Sequence, residues 1–187
     1  ARARELGQTS RYVHYADSKD ITPLVELMAR VCAVPDQVVV QVIFPLINVS
    51  PTDWILFCHQ VTDLAHERMG GRPVMASAAL HPDLPYSETG AKRAIPLFRR
   101  PPDPTLQWVR LDVLAEHYKG QTNKTRLVRP EDVEAFLLLP IKKSLFDRIA
   151  DANMETANRL SFPVIEARLA EYSREAQIAY RDALTPR

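Results

Sequence analysis

An imidazole and a carboxylate follow a prominent apolar run of the chain. The run Val74–Leu80 carries no charge and leads directly into His81-Pro82-Asp83. Such a run is typical of a buried strand, and open α/β sheets place their ligands at strand ends. His81 and Asp83 could therefore act as a general acid and base. Alternatively, Pro82 stiffens the strand exit while Asp83 binds turn amides, and we favour this structural interpretation.

Three arginines lie close to this region in the sequence. Arg99 and Arg100 precede a proline-rich turn, and Arg110 lies near the start of the third predicted helix. Guanidinium groups beside a helix N-terminus suit a phosphate or a carboxylate. Asp103 competes for the same helix amides as an N-cap, and a salt bridge to another subunit explains the arginines equally well. The candidate site for an anion or a partner comprises His81, Asp83, Arg99, Arg100 and Arg110.

A second set of polar residues has the spacing of metal ligands. His59, Asp63 and His66 recur at i, i+4 and i+7 on the second predicted helix, so their side chains could converge on one ion. The set lacks a fourth ligand and the HExxH spacing, and a solvated helix face is the ordinary interpretation. We retain these residues as weak metal candidates, expect no cofactor, and assign no residue a catalytic role.

Other kinds of chemistry lack their motifs. The five glycines are scattered and form no phosphate-binding loop, and no Ser or Cys lies in a nucleophile elbow. Cys32 and Cys58 fall in separate predicted helices without ligand spacing, which indicates two buried thiols and favours a reducing compartment. We therefore predict no enzymatic activity.

Composition excludes two further classes. The chain has 187 residues, 46% of them hydrophobic, and a formal net charge of +1. A charge so close to zero, with no basic cluster larger than a pair, argues against nucleic-acid binding. No apolar run approaches the roughly 20 residues that span a bilayer, so no transmembrane segment is expected.

Apolar periodicity predicts alternating strands and helices. Strands are expected at Tyr12–Tyr15, Val38–Phe44 and Val74–Leu80, with helices starting at Asp20 and Ser50 between them. This order predicts an α/β fold, in which a small, mainly parallel sheet of about three or more strands is flanked by helices. Beyond it we predict a helix over Thr105–Tyr118, a short helix ending at Pro140, and another over 141–160.

Two segments carry apolar residues suited to contacts with other proteins. The helix predicted over Thr105–Tyr118 has two apolar stripes, so it should be covered on two sides. The last segment, Pro163–Leu184, has a heptad-like seam that either folds back or docks on another chain, and we favour docking. We therefore divide the chain into a body, 8–161, and a C-terminal helical arm, 162–187. The predicted interface residues are Trp108, Leu111, Tyr118, Ile165, Leu169 and Tyr172.

Several ordered motifs resemble a widespread domain family of unknown function found in bacteria and some protists. That family carries a Phe-His-Pro-Asp-Tyr motif and a later Asn-Arg-Ser-Pro-x-Pro-x-Leu-His-Leu-Leu-Arg-Glu motif. The similarity spans about residues 8 to 161. Its matching segments are Gln8–Asp20, Asp53–Gly70, Leu80–Asp83 with Tyr86, Arg100–Leu106 with Arg110, and Asn153–Thr156 with Arg159 and Leu160.

The departures from the family pattern affect its polar positions. Arg99 replaces the family's Asn, Pro101 its Ser, Gln107 its His and Leu111 its Glu. The family's Leu-Cys-Pro-Phe segment is also missing from the sequence. If those polar groups form an active site in the family, this copy has lost most of it. No cofactor or substrate is implied by the resemblance.

The resemblance extends to a cellular role. Related chains look similar to accessory subunits of mitochondrial inner-membrane assemblies of flagellate protists, with the ATP synthase as the first candidate. It implies a non-catalytic subunit, peripheral to the mitochondrial inner membrane, that binds other protein subunits. The alternative is a small-molecule enzyme or anion-binding protein that uses His81, Asp83, Arg100 and Arg110.

Overall fold

The computed structural model describes residues 7–15, 20–118 and 145–184. The strands are β1 (Thr9–Val13), β2 (Val39–Ile43), β3 (Met75–Leu80) and β4 (Thr105–Arg110). The α-helices are α1 (Thr22–Cys32), α2 (Pro51–Arg68), α3 (Ala91–Ala94), α4 (Leu111–Tyr118), α5 (Leu145–Leu160) and α6 (Phe162–Leu184), and a 3-10 helix covers Ile95–Arg99. The predicted α/β class with a C-terminal helical extension is therefore confirmed. The short helix predicted before Pro140 lies outside the described residues.

The four strands form one mixed sheet in the order β1-β2-β4-β3. β1 pairs with β2 in parallel, while β4 pairs antiparallel with both β2 and β3. Strands β1, β2 and β3 thus run in the same direction, as their connections through α1 and α2 predicted, and β4 enters between β2 and β3. The prediction of a mainly parallel sheet was wrong, because two of the three strand pairs are antiparallel.

The source of this error is residues 105–110, which we predicted as the first part of a helix. They form β4, and only Leu111–Tyr118 is helical. Along β4, Leu106 and Trp108 are buried while Gln107 and Val109 are half-buried, which is the two-residue period of a strand. Across residues 105–118, apolar residues also recur at spacings of three and four. We therefore inferred two helical stripes, although the side chains of residues 105–110 alternate as in a strand.

The main core lies between one sheet face and the helices α1 and α2. Val40, Val42, Leu106 and Trp108 point from the sheet into it, and each is at most 1% exposed. The start of α2 follows the prediction, because the Ser50 hydroxyl accepts a hydrogen bond from the Asp53 N–H at 3.1 Å. This helix covers β3 and β4 and packs against α1.

The opposite sheet face carries a row of polar side chains. The Arg11 Nε donates to Gln41 Oε1 at 3.1 Å, and the Gln41 amide donates to Gln107 Oε1 at 3.1 Å. The register aligns Ala78 with Gln107, so this alanine continues the same row on β3. Because the residues of this row are half-buried or exposed, the face is only partly covered by the described residues.

The segment between β3 and β4 forms a second, smaller core with the C-terminal helices. Its buried members are Ala94, Leu97, Ala157 and Phe162, and Tyr86, Met154, Ile165 and Leu169 pack against them. A single residue, Ser161, separates α5 from α6 and has a left-handed backbone with φ of 67°. This bend turns α6 back over the segment 81–104. Across the described residues, no helix is both long and apolar enough to cross a bilayer.

Candidate functional site

His81 is the best-defined side chain at the end of β3. Its ring is almost fully buried, with 2% of the residue exposed. The Asp83 backbone N–H donates to Nδ1 at 3.1 Å, so Nδ1 is the acceptor and the proton lies on Nε2. Nε2 then donates to the Val49 carbonyl at 3.0 Å. Both ring nitrogens are used by the backbone, and His81 ties the exit of β3 to the residue before the α2 N-cap.

Asp83 does not complete an acid–base pair. Its carboxylate Oδ2 lies 4.0 Å from His81 Nδ1, and its side chain is 81% exposed. Because Nδ1 accepts a backbone hydrogen bond, it has no proton to share with that carboxylate. The geometry therefore matches the structural interpretation, in which the turn after β3 is fixed by main-chain bonds.

Arg100 acts as a clamp between three parts of the chain. Its Nε donates to the Leu84 carbonyl at 2.7 Å, and its guanidinium carbon lies 4.8 Å from the centre of the Tyr86 ring. Its Nη1 lies 3.6 Å from Glu166 Oε1 on α6, and its side chain is 20% exposed. The neighbouring Arg99 is exposed. Of the two arginines, only Arg100 is thus fixed by contacts of this kind.

Arg110 lies at the other end of the sheet from His81. The register pairs Leu80 with Thr105 but Met75 with Arg110, so the length of β3 separates the two. Arg110 instead binds the Asp112 carboxylate through Nε and Nη2, at 2.9 to 3.2 Å. This hydrogen bonding is the main reason that the pKa of Asp112 is lowered and that of Arg110 raised. The prediction that Arg110 joins the cluster was wrong, because β4 is a strand.

Helix α6 lies across the sheet end where β3 finishes and β4 begins. Phe162 stacks on Tyr86 with ring centres 5.9 Å apart, and the Tyr180 hydroxyl donates to Asp103 Oδ2 at 2.7 Å. Burial raises the pKa of Asp103, and the hydrogen bond from Tyr180 partly offsets that rise. Burial and the neighbouring carboxylate both raise the pKa of Tyr180. The helix is thus anchored to the body near both of its ends.

A groove of about 320 Å³ remains between α6 and the loops that follow β3 and precede β4. Its charged side chains are Asp83, Arg100 and Glu166, of which Arg100 is the only cation. Two acidic groups against one largely engaged guanidinium leave little positive potential for an anion. The other lining residues are Pro82, Pro101, Leu169, Ala170 and Ser173.

The proposed metal ligands do not converge. His59 and Asp63 are exposed on α2, whereas the His66 Nε2 faces the backbone N–H groups of Val74 and Met75, each at 3.4 Å. Nowhere among the described residues do three His, Cys, Asp or Glu side chains form a group that could hold a metal ion. The weak metal candidates on this helix therefore do not form a site, because regular spacing on one helix did not bring the three side chains together.

The three interface residues predicted between positions 105 and 118 have different positions in the structure. Trp108 is fully buried in the main core, where its Nε1–H donates to Thr62 Oγ1 at 3.2 Å. It therefore offers no surface to a partner, and that prediction was wrong. Leu111 is half-buried, and its N–H extends the sheet pairing to the Val74 carbonyl. The side chain of Tyr118 lies outside the described part of the structure.

On α6 the inward-facing seam is displaced from the predicted one. Ile165 and Leu169 pack against the small core of their own chain, whereas Tyr172 is 52% exposed. Beyond Leu169 the face continues through Ser173 and Tyr180. We favoured docking of this helix on another chain, but its seam folds back on the body. Helical spacing from Phe162 through Leu169 to Tyr180 is the signal that could have identified it.

Comparison with known proteins adds no identity. No protein-family model, curated protein or solved structure matches this chain.

Proposed function

We propose that this protein is a non-catalytic accessory subunit of a larger protein assembly. One observation carries the proposal: α6 lies over the strand ends, where an α/β protein of this kind would bind its ligand. The polar groups beneath it serve the fold, since His81 bonds two backbone groups, Arg100 clamps Leu84 and Glu166, and Asp103 accepts from Tyr180. Because these strand-end groups stabilise the fold and are not left to bind a ligand, we expect the chain to act through contacts of its outer surface with other proteins.

The outer sides of the two C-terminal helices provide that surface. Large apolar side chains are 45 to 57% exposed there: Phe146, Ile149 and Leu160 on α5, and Val164, Tyr172 and Ile178 on α6. Exposed apolar residues that cluster on neighbouring elements are typical of protein–protein contact sites. The inner side of α6 is already packed, so a partner is expected on the outside.

For the assembly itself we propose the mitochondrial ATP synthase, with this chain peripheral to the inner membrane. This choice rests on the sequence resemblance alone. The test is native electrophoresis of detergent-solubilised mitochondria from the source organism, with the chain detected by mass spectrometry. We expect it to migrate in constant ratio with the ATP synthase. Migration as a free chain, or with a different complex, would contradict the proposal.

A pair of substitutions tests the contact surface. Ile149→Asp combined with Ile178→Asp should leave the isolated chain folded, because both side chains are largely exposed, yet should remove it from the assembly. Val34→Asp, at a site 50% exposed just after α1, is the matched control and should assemble normally. Normal assembly of the double variant would show that these helices are not the contact surface.

A small-molecule site is the second candidate, favoured only by the groove beside Arg100. Its test is thermal unfolding of the chain with phosphate, ADP or a divalent cation. A ligand present at 100 times its Kd stabilises the folded state by about 2.7 kcal/mol, which is readily measured. If Arg100→Met abolishes a shift in Tm seen with the wild type, this candidate gains over the first. If none of the three ligands shifts the Tm, it fails.

A further inference from the structure

The sequence of β3 lacks the residues that usually keep an edge strand from pairing with another chain. β3 is the last strand of the sheet order, and no strand in the described part of the chain pairs with its outer side. Its sequence, Met-Ala-Ser-Ala-Ala-Leu, contains no charge and no proline. Natural edge strands are usually protected by lysines, prolines or bulges, because their free N–H and C=O groups can pair with another chain. The opposite edge strand, β1, carries Arg11.

Hydrogen bonding shows which groups of this edge remain available. Leu111 donates to the Val74 carbonyl, so Val74 and every second residue after it face β4. Met75, Ser77 and Ala79 therefore direct their backbone groups outward. The Met75 N–H is taken by His66 Nε2, and beyond the strand the His81 carbonyl accepts from Leu84. Ser77 and Ala79 are left with both an N–H and a C=O each, and Met75 with its C=O.

The groups of Ser77 and Ala79 are arranged symmetrically about Ala78. We propose that a second copy of this chain binds here, with β3 pairing antiparallel to β3 of the second copy around a two-fold axis through Ala78. Ser77 then exchanges both of its bonds with Ala79 of the second copy, and Ala79 does the same with Ser77. Four backbone hydrogen bonds form, and the two sheets join into one of eight strands.

The geometry favours a second copy over an unrelated extended peptide. A two-fold pairing uses the amides and carbonyls of Ser77 and Ala79 as matched pairs, as an isologous interface requires. The side chains on the edge are small, so nothing bulky holds the strands apart. The axis is perpendicular to the sheet and brings the α2 helices of both copies to the same face.

Helix α2 adds apolar surface to this contact. His66 reaches the β3 backbone, so its side of α2 borders the open edge. Ile55 lies on that side, eleven residues or about three turns earlier, and is 38% exposed. The pairing is independent of the proposed function, because it joins copies of the chain and uses neither α5 nor α6.

Disulfide trapping tests the register directly. In the proposed register, Ala78 of one copy lies opposite Ala78 of the other as a non-hydrogen-bonded pair. Their Cα atoms are then about 4.5 Å apart, which is within the range that a disulfide spans. Ala78→Cys, in a Cys32→Ser background, should give covalent dimers on mild oxidation. Ala76→Cys is the matched control, since it lies on the same strand face but about 14 Å from its counterpart. Equal crosslinking of the two variants, or none, would overturn the proposal.

Charge exchange at the same position provides the second test. Ala78→Glu and Ala78→Lys each place like charges opposite one another and should raise the Kd of self-association about three- to tenfold. Mixing the two variants should restore dimers, which sedimentation at about 100 μM detects even for a weak pairing. Circular dichroism shows whether each variant is folded. A wild type that stays monomeric under these conditions, and a mixture no tighter than either variant, would also overturn the proposal.

Discussion

The hydrogen bond between Tyr180 and Asp103 should hold α6 against the body. The bond is 2.7 Å long, and Asp103 is only 9% exposed. Tyr180→Phe removes the donor and leaves a largely buried carboxylate without it. Hydrogen bonds to charged groups contribute about 1.5–3 kcal/mol, so we expect the substitution to lower the free energy of unfolding by about 2 kcal/mol at pH 7. Tyr172→Phe is the control, because that side chain is 52% exposed on the same helix.

The loss of stability caused by Tyr180→Phe should depend on pH. Asp103 has a raised pKa in the folded protein, so the folded state binds its proton more tightly than the unfolded state does. The contribution of this group to stability is therefore fully present below its usual pKa of 3.8 and is lost as the pH rises through the folded value. Below that value the acceptor is neutral, and Tyr180→Phe should cost only about 1 kcal/mol.

Two measurements check this prediction. Urea unfolding at pH 7 and at pH 3 gives the free energies for the two variants and the wild type. Trypsin cleavage at the exposed Arg168 and Arg174 reports how often α6 opens, and 2 kcal/mol corresponds to cleavage about 30 times faster. If Tyr180→Phe behaves like Tyr172→Phe in both assays, the bond does not hold the helix.

Three further predictions concern the buried groups. Trp108→Phe should lower the free energy of unfolding by about 2–3 kcal/mol, because it removes the bond to Thr62 and leaves a cavity; urea unfolding measures this. His81→Ala should cost about 3 kcal/mol in the same assay through its two lost backbone bonds, whereas an unchanged stability would favour a role in binding. Cys58 is buried with a raised thiol pKa, so iodoacetamide should label Cys32 first, as mass spectrometry of the folded protein can show.

Much of the sheet was predictable because β2, β3 and the two helices between the first three strands have clear signals, whereas β1 was predicted at Tyr12–Tyr15 and lies at Thr9–Val13. The run Val38–Phe44 has the continuous apolar character of a central strand, and Ser50-Pro51 is a strong helix start. β4 was not predictable from the same rules. Its apolar residues Leu106, Trp108 and Val109 fit a helical stripe as well as a strand, and only pairing with β2 and β3 decides between them.

The candidate site was predicted in part for a similar reason. His81, Asp83 and Arg100 do lie at one end of the sheet, because they follow or precede strands that meet there. Their roles depend on partners distant in sequence, such as Val49 for His81 and Glu166 for Arg100. No local pattern contains that information, so the spacing alone could not separate a reactive histidine from one that supports a turn.

The bend at Ser161 determines how far the chain reaches. If Ser161 took right-handed helical angles, residues 145–184 would form one rod about 60 Å long, extending well past the body. Pro163 opposes such a rod, since its ring would clash with the carbonyl of Arg159 at a cost of about 3 kcal/mol. The hairpin shape of the C-terminal helices is therefore encoded within three consecutive residues. A neighbouring molecule therefore binds a short pair of helices that is already formed, and it need not bend the chain itself.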